Sequence, residues 1–206
     1  MKGLTSMTKR QLFNISLAAA LISAMLFSML GFTSSCQEMY DNIIRIRIIA
    51  NSDSNEDQQL KLRIRDAVLK ESQTVYNGED LSYEDALILT EENLSSLTTA
   101  AQNTVNKYGY DYTVRTQIRD EFFDTRTYDD FTLPAGTYKT AVFEIGEAQG
   151  QNWWCVIFPR VCVGTCKGDI TDTVSQQSAG YTENYGKFKV KFKTVEIFGK
   201  IKNFLF

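Results

Sequence analysis

Asn152–Trp153–Trp154–Cys155–Val156–Ile157–Phe158–Pro159–Arg160–Val161–Cys162 holds both tryptophans, two of the four cysteines and one of the two prolines of the chain. Aromatic and β-branched residues run without a break from Trp153 to Phe158, which suits a pleated strand. Pro159 ends it, because a residue without an N–H cannot continue a ladder. The plain reading is a core strand; the sharper one is that Trp153 or Trp154 forms an exposed partner-binding patch.

The strand before it follows from the same alternation. Tyr138 to Gly146 reads as a strand, and Gly146–Glu147–Ala148–Gln149–Gly150 as the hairpin turn joining the two. Before that come a turn at Leu133–Pro134–Ala135–Gly136, a polar loop over Asp124–Asp130, and a strand from Tyr110 to Ile118. Working further back, Ser82 and Asp85 open a helix whose leucines and Val105 recur at helical spacing and whose C-cap is Gly109. Ser54 and Asp57 open another, with Leu60, Ile64, Ala67 and Val68 on one stripe, running to about Tyr76. Ahead of both lies Asn42–Ala50, where Ile44, Ile46 and Ile48 alternate with Arg45 and Arg47, a half-buried strand with a solvated face. Asp53 beside it reads either as a functional carboxylate or, more simply, as a helix cap.

The order is β-α-α-β-β-β. This predicts an α+β domain over 38–162: an antiparallel sheet with both helices packed on one face. Residues 163–186, rich in Gly, Thr, Ser and Gln, read as a flexible linker. In 187–206, Lys187–Lys193 alternates as a strand would. Ile197, Phe198, Ile201, Phe204 and Leu205 then follow the spacing of an amphipathic helix, which either docks on the domain or lies on a membrane surface.

The N-terminus sets the compartment. Lys2, Lys9 and Arg10 precede an uncharged run to Gln37 that is apolar from Leu17 to Phe32, so 1–37 reads as a signal peptide or, through residues 12–32, a retained membrane anchor. Thr33–Ser34–Ser35–Cys36 is a loose match to a cleavage site and a poor lipobox. The positive-inside rule puts the remainder outside the cytoplasm. There thiols can pair: Cys155 and Cys162 can bridge if the chain doubles back at Pro159, with Cys162 and Cys166 as the alternative.

Charge and residue usage narrow the function. The net charge is −3 overall, yet residues 187–206 hold six lysines against one glutamate, and 36–186 hold 24 acids against 13 basic residues. An acidic body with a short basic tail disfavours nucleic acid as a partner and permits contact between the tail and an anionic surface. The chain has no histidine, which removes Ser–His and Cys–His catalysis and weakens any zinc site. Walker and dinucleotide glycine patterns are missing, and Asp124–Thr125–Arg126 and Asp172–Thr173–Val174 lack the glycine of an aspartic-protease triplet. No catalytic residue, cofactor or metal is expected.

Several strings together resemble the stage II sporulation protein R family: Ala50–Asn51–Ser52–Asp53–Ser54, Glu56–Asp57–Gln58, Leu60–Val68, Thr125–Arg126–Thr127–Tyr128, Leu133–Pro134–Ala135–Gly136 with Tyr138, and Asn152–Trp153–Trp154–Cys155 leading to Phe158–Pro159 and Cys162. They span residues 43–162 in the family's order. Arg160, where members often carry a second proline, and the extra Cys166 depart from the pattern. The resemblance implies a non-enzymatic signal made in the forespore and exported into the space between the septal membranes. There it would activate a membrane-embedded aspartic protease of the receiving cell, which processes a mother-cell sigma-factor precursor. The expected partner-binding residues are Trp153 and Trp154, of which one must face away from the core, with Arg126 and Tyr128 in the neighbouring loop. Asn51 and Asp53, in the first family string, complete the set, and a Cys155–Cys162 bridge would fix the turn at Pro159. The opposing expectation is a wall-associated glycan-binding module or hydrolase whose tryptophans stack on sugar.

Overall fold

A computed structural model describes residues 8–76, 81–128, 131–159 and 174–205. Strand β1 (Ile44–Ile49) is its centre. The four-stranded sheet has the order β2 (Val114–Phe123), β5 (Gly136–Ile145), β1, β6 (Asn152–Phe158). Mixed helix and sheet with mostly antiparallel pairing agree with the α+β expectation.

The hairpin expected between β5 and β6 does not form. β1 lies between them, parallel to β5 and antiparallel to β6. Two strand spacings amount to roughly 10 Å, which a tight turn cannot cross. Residues 146–151 instead bridge the end of β1 and are held there by its own continuation. Gly150 N–H donates to Ala50 O at 2.9 Å and Gln149 N–H to Asn51 O at 3.0 Å.

Helices α2 (Asn55–Val75) and α4 (Leu94–Lys107) cover one sheet face, as predicted. Leu60, Ile64, Val68, Leu97, Ala101 and Val105 meet Ile44, Ile46, Ile48, Ala141, Phe143 and Ile157 in one core. The second expected helix is broken: α3 (Tyr83–Glu92) stops and α4 starts at Asn93, whose side-chain amide turns back to Leu89 O at 2.9 Å. An asparagine that bonds its own backbone is a poor helix interior residue. Gly109 ends α4 with φ +76°, as its reading as a C-cap requires. The second strand starts at Val114, four residues later than expected.

The other face is not simply solvated. The end of α1 (Lys9–Tyr40) brings Met39, and α5 (Gln176–Glu183) brings Ala179, against Phe123, Tyr138 and Val156. Arg45, expected in water, is therefore wholly buried, and β1 is covered on both faces. The short β3 (Arg126–Thr127) and β4 (Thr132–Leu133) pair beside this layer.

α5 occupies part of the span expected as a linker. Ser175 caps it, and Glu38 of α1 accepts from Ser175 N–H at 2.6 Å. The strand expected over 187–193 is likewise helix, the first two turns of α6 (Tyr185–Leu205). The lysine–apolar alternation there also places Phe188 and Phe192 one turn apart. Those rings pack with Phe32, Tyr181 and Tyr185, so burial of one helical face decides the conformation.

α1 is apolar and long enough to cross a bilayer, which is compatible with a signal sequence or an anchor. Its exposed apolar side chains run from Leu12 to Leu30, and from Phe32 onwards it joins the domain core. Cys36 is 1% exposed in that core.

Candidate functional site

The two tryptophans part company at β6. Trp153 lies on the α2 side against the main core, with the Arg65 guanidinium 5.5 Å from its ring centroid. Trp154, opposite Arg47 in the register, lies on the other face. There Arg126, presented by β3, places its guanidinium 4.3 Å from the Trp154 centroid. Strand alternation puts the two rings on opposite faces of β6, both half-buried, and the one on the cleft's side, packed against the second core, is Trp154.

Trp154 and Arg126 border a cleft of about 290 Å³ that Arg47, Phe123, Thr125 and Asn152 also line. Arg47 is anchored by Glu121, Nη1 to Oε2 at 2.6 Å, while its buried Nε and the buried Thr125 Oγ1 have no hydrogen-bond partner among the described residues. Glu121 also takes Arg119 at 2.7 Å, and Arg119 reaches Glu144 at 3.3 Å, forming an ionic ladder across β1, β2 and β5. The wall also holds Asp124, which is paired with Lys200, so its two arginines and the Trp154 ring are what it offers to a carboxylate or carbonyl on an inserted side chain.

Beneath the cleft lies the buried Arg45. Its guanidinium sits 3.8 Å from the Phe123 centroid, and Nη2 donates to Tyr128 Oη at 3.0 Å. Tyr128, expected as a surface contact, is thus half-buried, stacks on Phe131 at 4.7 Å and orders Arg45 from the side. The neighbouring Leu133–Tyr138 string closes on itself: Tyr138 donates to Pro134 O at 2.7 Å, and Tyr40 of α1 to Ala135 O at 2.6 Å. Burial pushes the Tyr138 phenol well above its usual range, so it serves as a neutral donor.

Asn51 and Asp53 stand apart from the cleft lining. Asn51 Oδ1 accepts from Glu147 N–H at 3.0 Å, and its amide donates to Asp57 Oδ2 at 2.8 Å. Asp53 accepts from Gln151 N–H at 2.7 Å instead of capping α2, a role that Ser54 fills by accepting from Asp57 N–H at 3.1 Å. Both residues latch the bridge over β1. Burial alone would raise the Asp57 carboxyl, but hydrogen bonds from Ser52, Asn51 and Tyr112 outweigh it and hold the group below the usual carboxylate range.

Sequence reasoning brought Trp154 and Arg126 to one place and missed Arg47, Glu121 and Asn152. An arginine repeat in a strand with isoleucine at every other position was the available signal for Arg47. Cys155 is buried and not free, whereas the bridge expected to Cys162, like Cys166, lies outside the described residues.

A model of the stage II sporulation protein R family matches residues 40–167. Stage II sporulation protein R of Bacillus subtilis (strain 168) is 39% identical over 122 residues, 59% of this chain and 54% of that protein. The matched region thus spans about half the length of that relative. No solved structure matches the chain. Cleft, core strand and bridging loop all fall within the family match, while α5 and α6 lie beyond it, and the chain belongs to the stage II sporulation protein R family.

Proposed function

We propose that the chain is an exported sporulation signal that activates a membrane-embedded aspartic protease of the receiving cell, which then processes a sigma-factor precursor. The observation that carries the contact side of this reading is the cleft: Trp154 under Arg126, with the Arg47 side chain in its wall. A half-buried tryptophan beside an exposed arginine at the rim of a hollow is the composition of a protein-binding anchor. The partner supplies an acidic or carbonyl-bearing side chain to the arginines. The apolar α1 supports export, and the Cys155–Cys162 bridge that the family resemblance implies would form in the oxidising space beyond the membrane.

Catalysis is left out of this reading because the chain lacks histidine, the commonest general base, and nothing in the sequence singles out a carboxylate pair for that work. A glycan-binding module would instead retain residues 38–206 on peptidoglycan in a pull-down, which this reading does not expect.

Co-expression with the protease and the sigma-factor precursor in a non-sporulating host tests the reading. Processing appears with the full chain and disappears when export is blocked. Processing by a cytoplasm-retained chain, or none by the exported one, overturns it.

A further inference from the structure

The packed face of α6 accounts for only half of that helix. Phe188, Phe192 and Val195 turn inward, and Gly199 lets the helix lie against the domain: a Cβ there would come within 2.7 Å of the Phe122 ring. On the opposite side Val190 (76% exposed), Ile197, Phe198 (72%), Ile201 and Phe204 (89%) share one apolar stripe, interrupted by Thr194. At 100° per residue these five fall within about a third of the helix circumference. Lys187 stands on the line of the stripe at its N-terminal end, and the other five lysines flank it on both sides.

Two further observations say what covers it. First, α6 meets α1 where α1 leaves its exposed apolar stretch. Lys191 Nζ donates to Ser28 O at 3.2 Å, between the last exposed apolar side chain, Leu30, and those before it. Leu12 to Leu30 spans about 28 Å of helix, the thickness of a bilayer's hydrocarbon core. The start of α6 therefore sits at the depth where a membrane crossed by α1 would end. Second, the lysines differ in employment. Lys193 and Lys200 pair with Glu196, Lys200 also with Asp124, and Lys191 is bound to Ser28. Lys187, Lys189 and Lys202 have no ion-pair partner among the described residues and remain available to anions outside the protein.

From this arrangement we infer that the outward face of α6 lies in the headgroup layer of an anionic phospholipid bilayer, the membrane that α1 crosses. The apolar stripe enters the acyl boundary, and the flanking lysines reach back to lipid phosphates. α1 holds the chain at the membrane and α6 fixes the tilt of the domain on it. This inference is independent of receptor activation.

The test uses the full chain reconstituted in vesicles, with Phe198→p-benzoylphenylalanine and, separately, the same replacement at Phe204. Ile88, exposed on α3, serves as the control position. On irradiation, positions 198 and 204 give lipid adducts in mixed phosphatidylglycerol–phosphatidylcholine vesicles, and position 88 does not. Changing Lys187, Lys189 and Lys202 together to Gln lowers the adduct yield by at least about tenfold, since each lysine near an anionic surface is worth roughly fivefold in binding. Adducts between two copies of the chain would show that a second protomer covers the stripe and would overturn the inference. So would yields no higher than at position 88, or yields equal in phosphatidylcholine alone.

Discussion

The Arg126 guanidinium lies 4.3 Å from the centroid of Trp154, although 27 residues of chain separate them. The contact joins a two-residue strand to the edge strand of the main sheet. A cation over an indole face is worth roughly 1 kcal/mol at an exposed site, so the pair pre-orders the rim of the cleft without closing it. Trp153, one residue earlier, has the opposite assignment.

Trp153→Ala is expected to be a stability mutant. Its ring packs on the main core beside Arg65, and truncation of a partly buried tryptophan there costs about 2–3 kcal/mol. Urea unfolding should show a lower midpoint with an unchanged slope. A midpoint equal to wild type would place the ring outside the core.

Glu121→Gln removes the shared anion of Arg47 and Arg119. Glu121 is 8% exposed while the two arginines are 28% and 37% exposed, so water recovers part of the loss and the cost is about 2 kcal/mol. Arg47 also loses its anchor in the cleft, so signalling falls with stability. Thermal melts and the processing assay together check this.

Asp57→Asn weakens the latch among Asn51, Ser52 and the start of α2, at about 1–2 kcal/mol near neutral pH. The folded carboxyl titrates below its ordinary value, so the unfolded chain binds the proton first as pH falls. Its contribution is therefore complete above the ordinary carboxylate range and is lost as pH falls through the lower, folded value. The stability gap between wild type and variant should narrow below about pH 4. Denaturant midpoints across that range measure it.

Gly146→Ala meets two obstacles. The backbone there has φ +57°, and a Cβ would overlap Asn51 Oδ1, the acceptor that holds the bridge over β1. A loss of about 2 kcal/mol is expected, with hydrogen exchange rising first at residues 147–151. Unchanged protection of those amides would contradict the account of how β5 is joined to β6.

Local chemistry explains what was legible in the sequence. Ser54 caps α2, Gly109 ends α4, and Pro159 follows the last residue of β6, because caps, left-handed turns and strand stops are decided within a few residues. Strand order is not local. The bridge over 146–151 has the composition of a hairpin turn, and only the need of the isoleucine-rich β1 for two paired edges places that strand in between. Burial of Arg45 was equally hidden, since the covering residues, Met39 and Ala179, come from a helix at each end of the chain. The lysine–phenylalanine alternation of 187–193 fits both a strand and a helix; packing against Phe32 and Tyr181 selects the helix. For the cleft, adjacency of two tryptophans on a strand was enough to say that only one lies on its face of the sheet. Which one, and that Arg126 meets it, depends on the small β3–β4 pairing.

The central claim is that the Trp154–Arg126 cleft delivers the signal, and the processing assay with Trp154→Ala addresses it most directly. Trp154 packs at the edge of the second core, so processing is scored on chain shown by thermal melt to be folded and by fractionation to be exported, with Arg126→Ala, at an exposed residue, run beside it. The account predicts that precursor processing falls at least about tenfold, the loss expected on truncating a binding anchor. Wild-type processing by a folded, exported Trp154→Ala chain would contradict it.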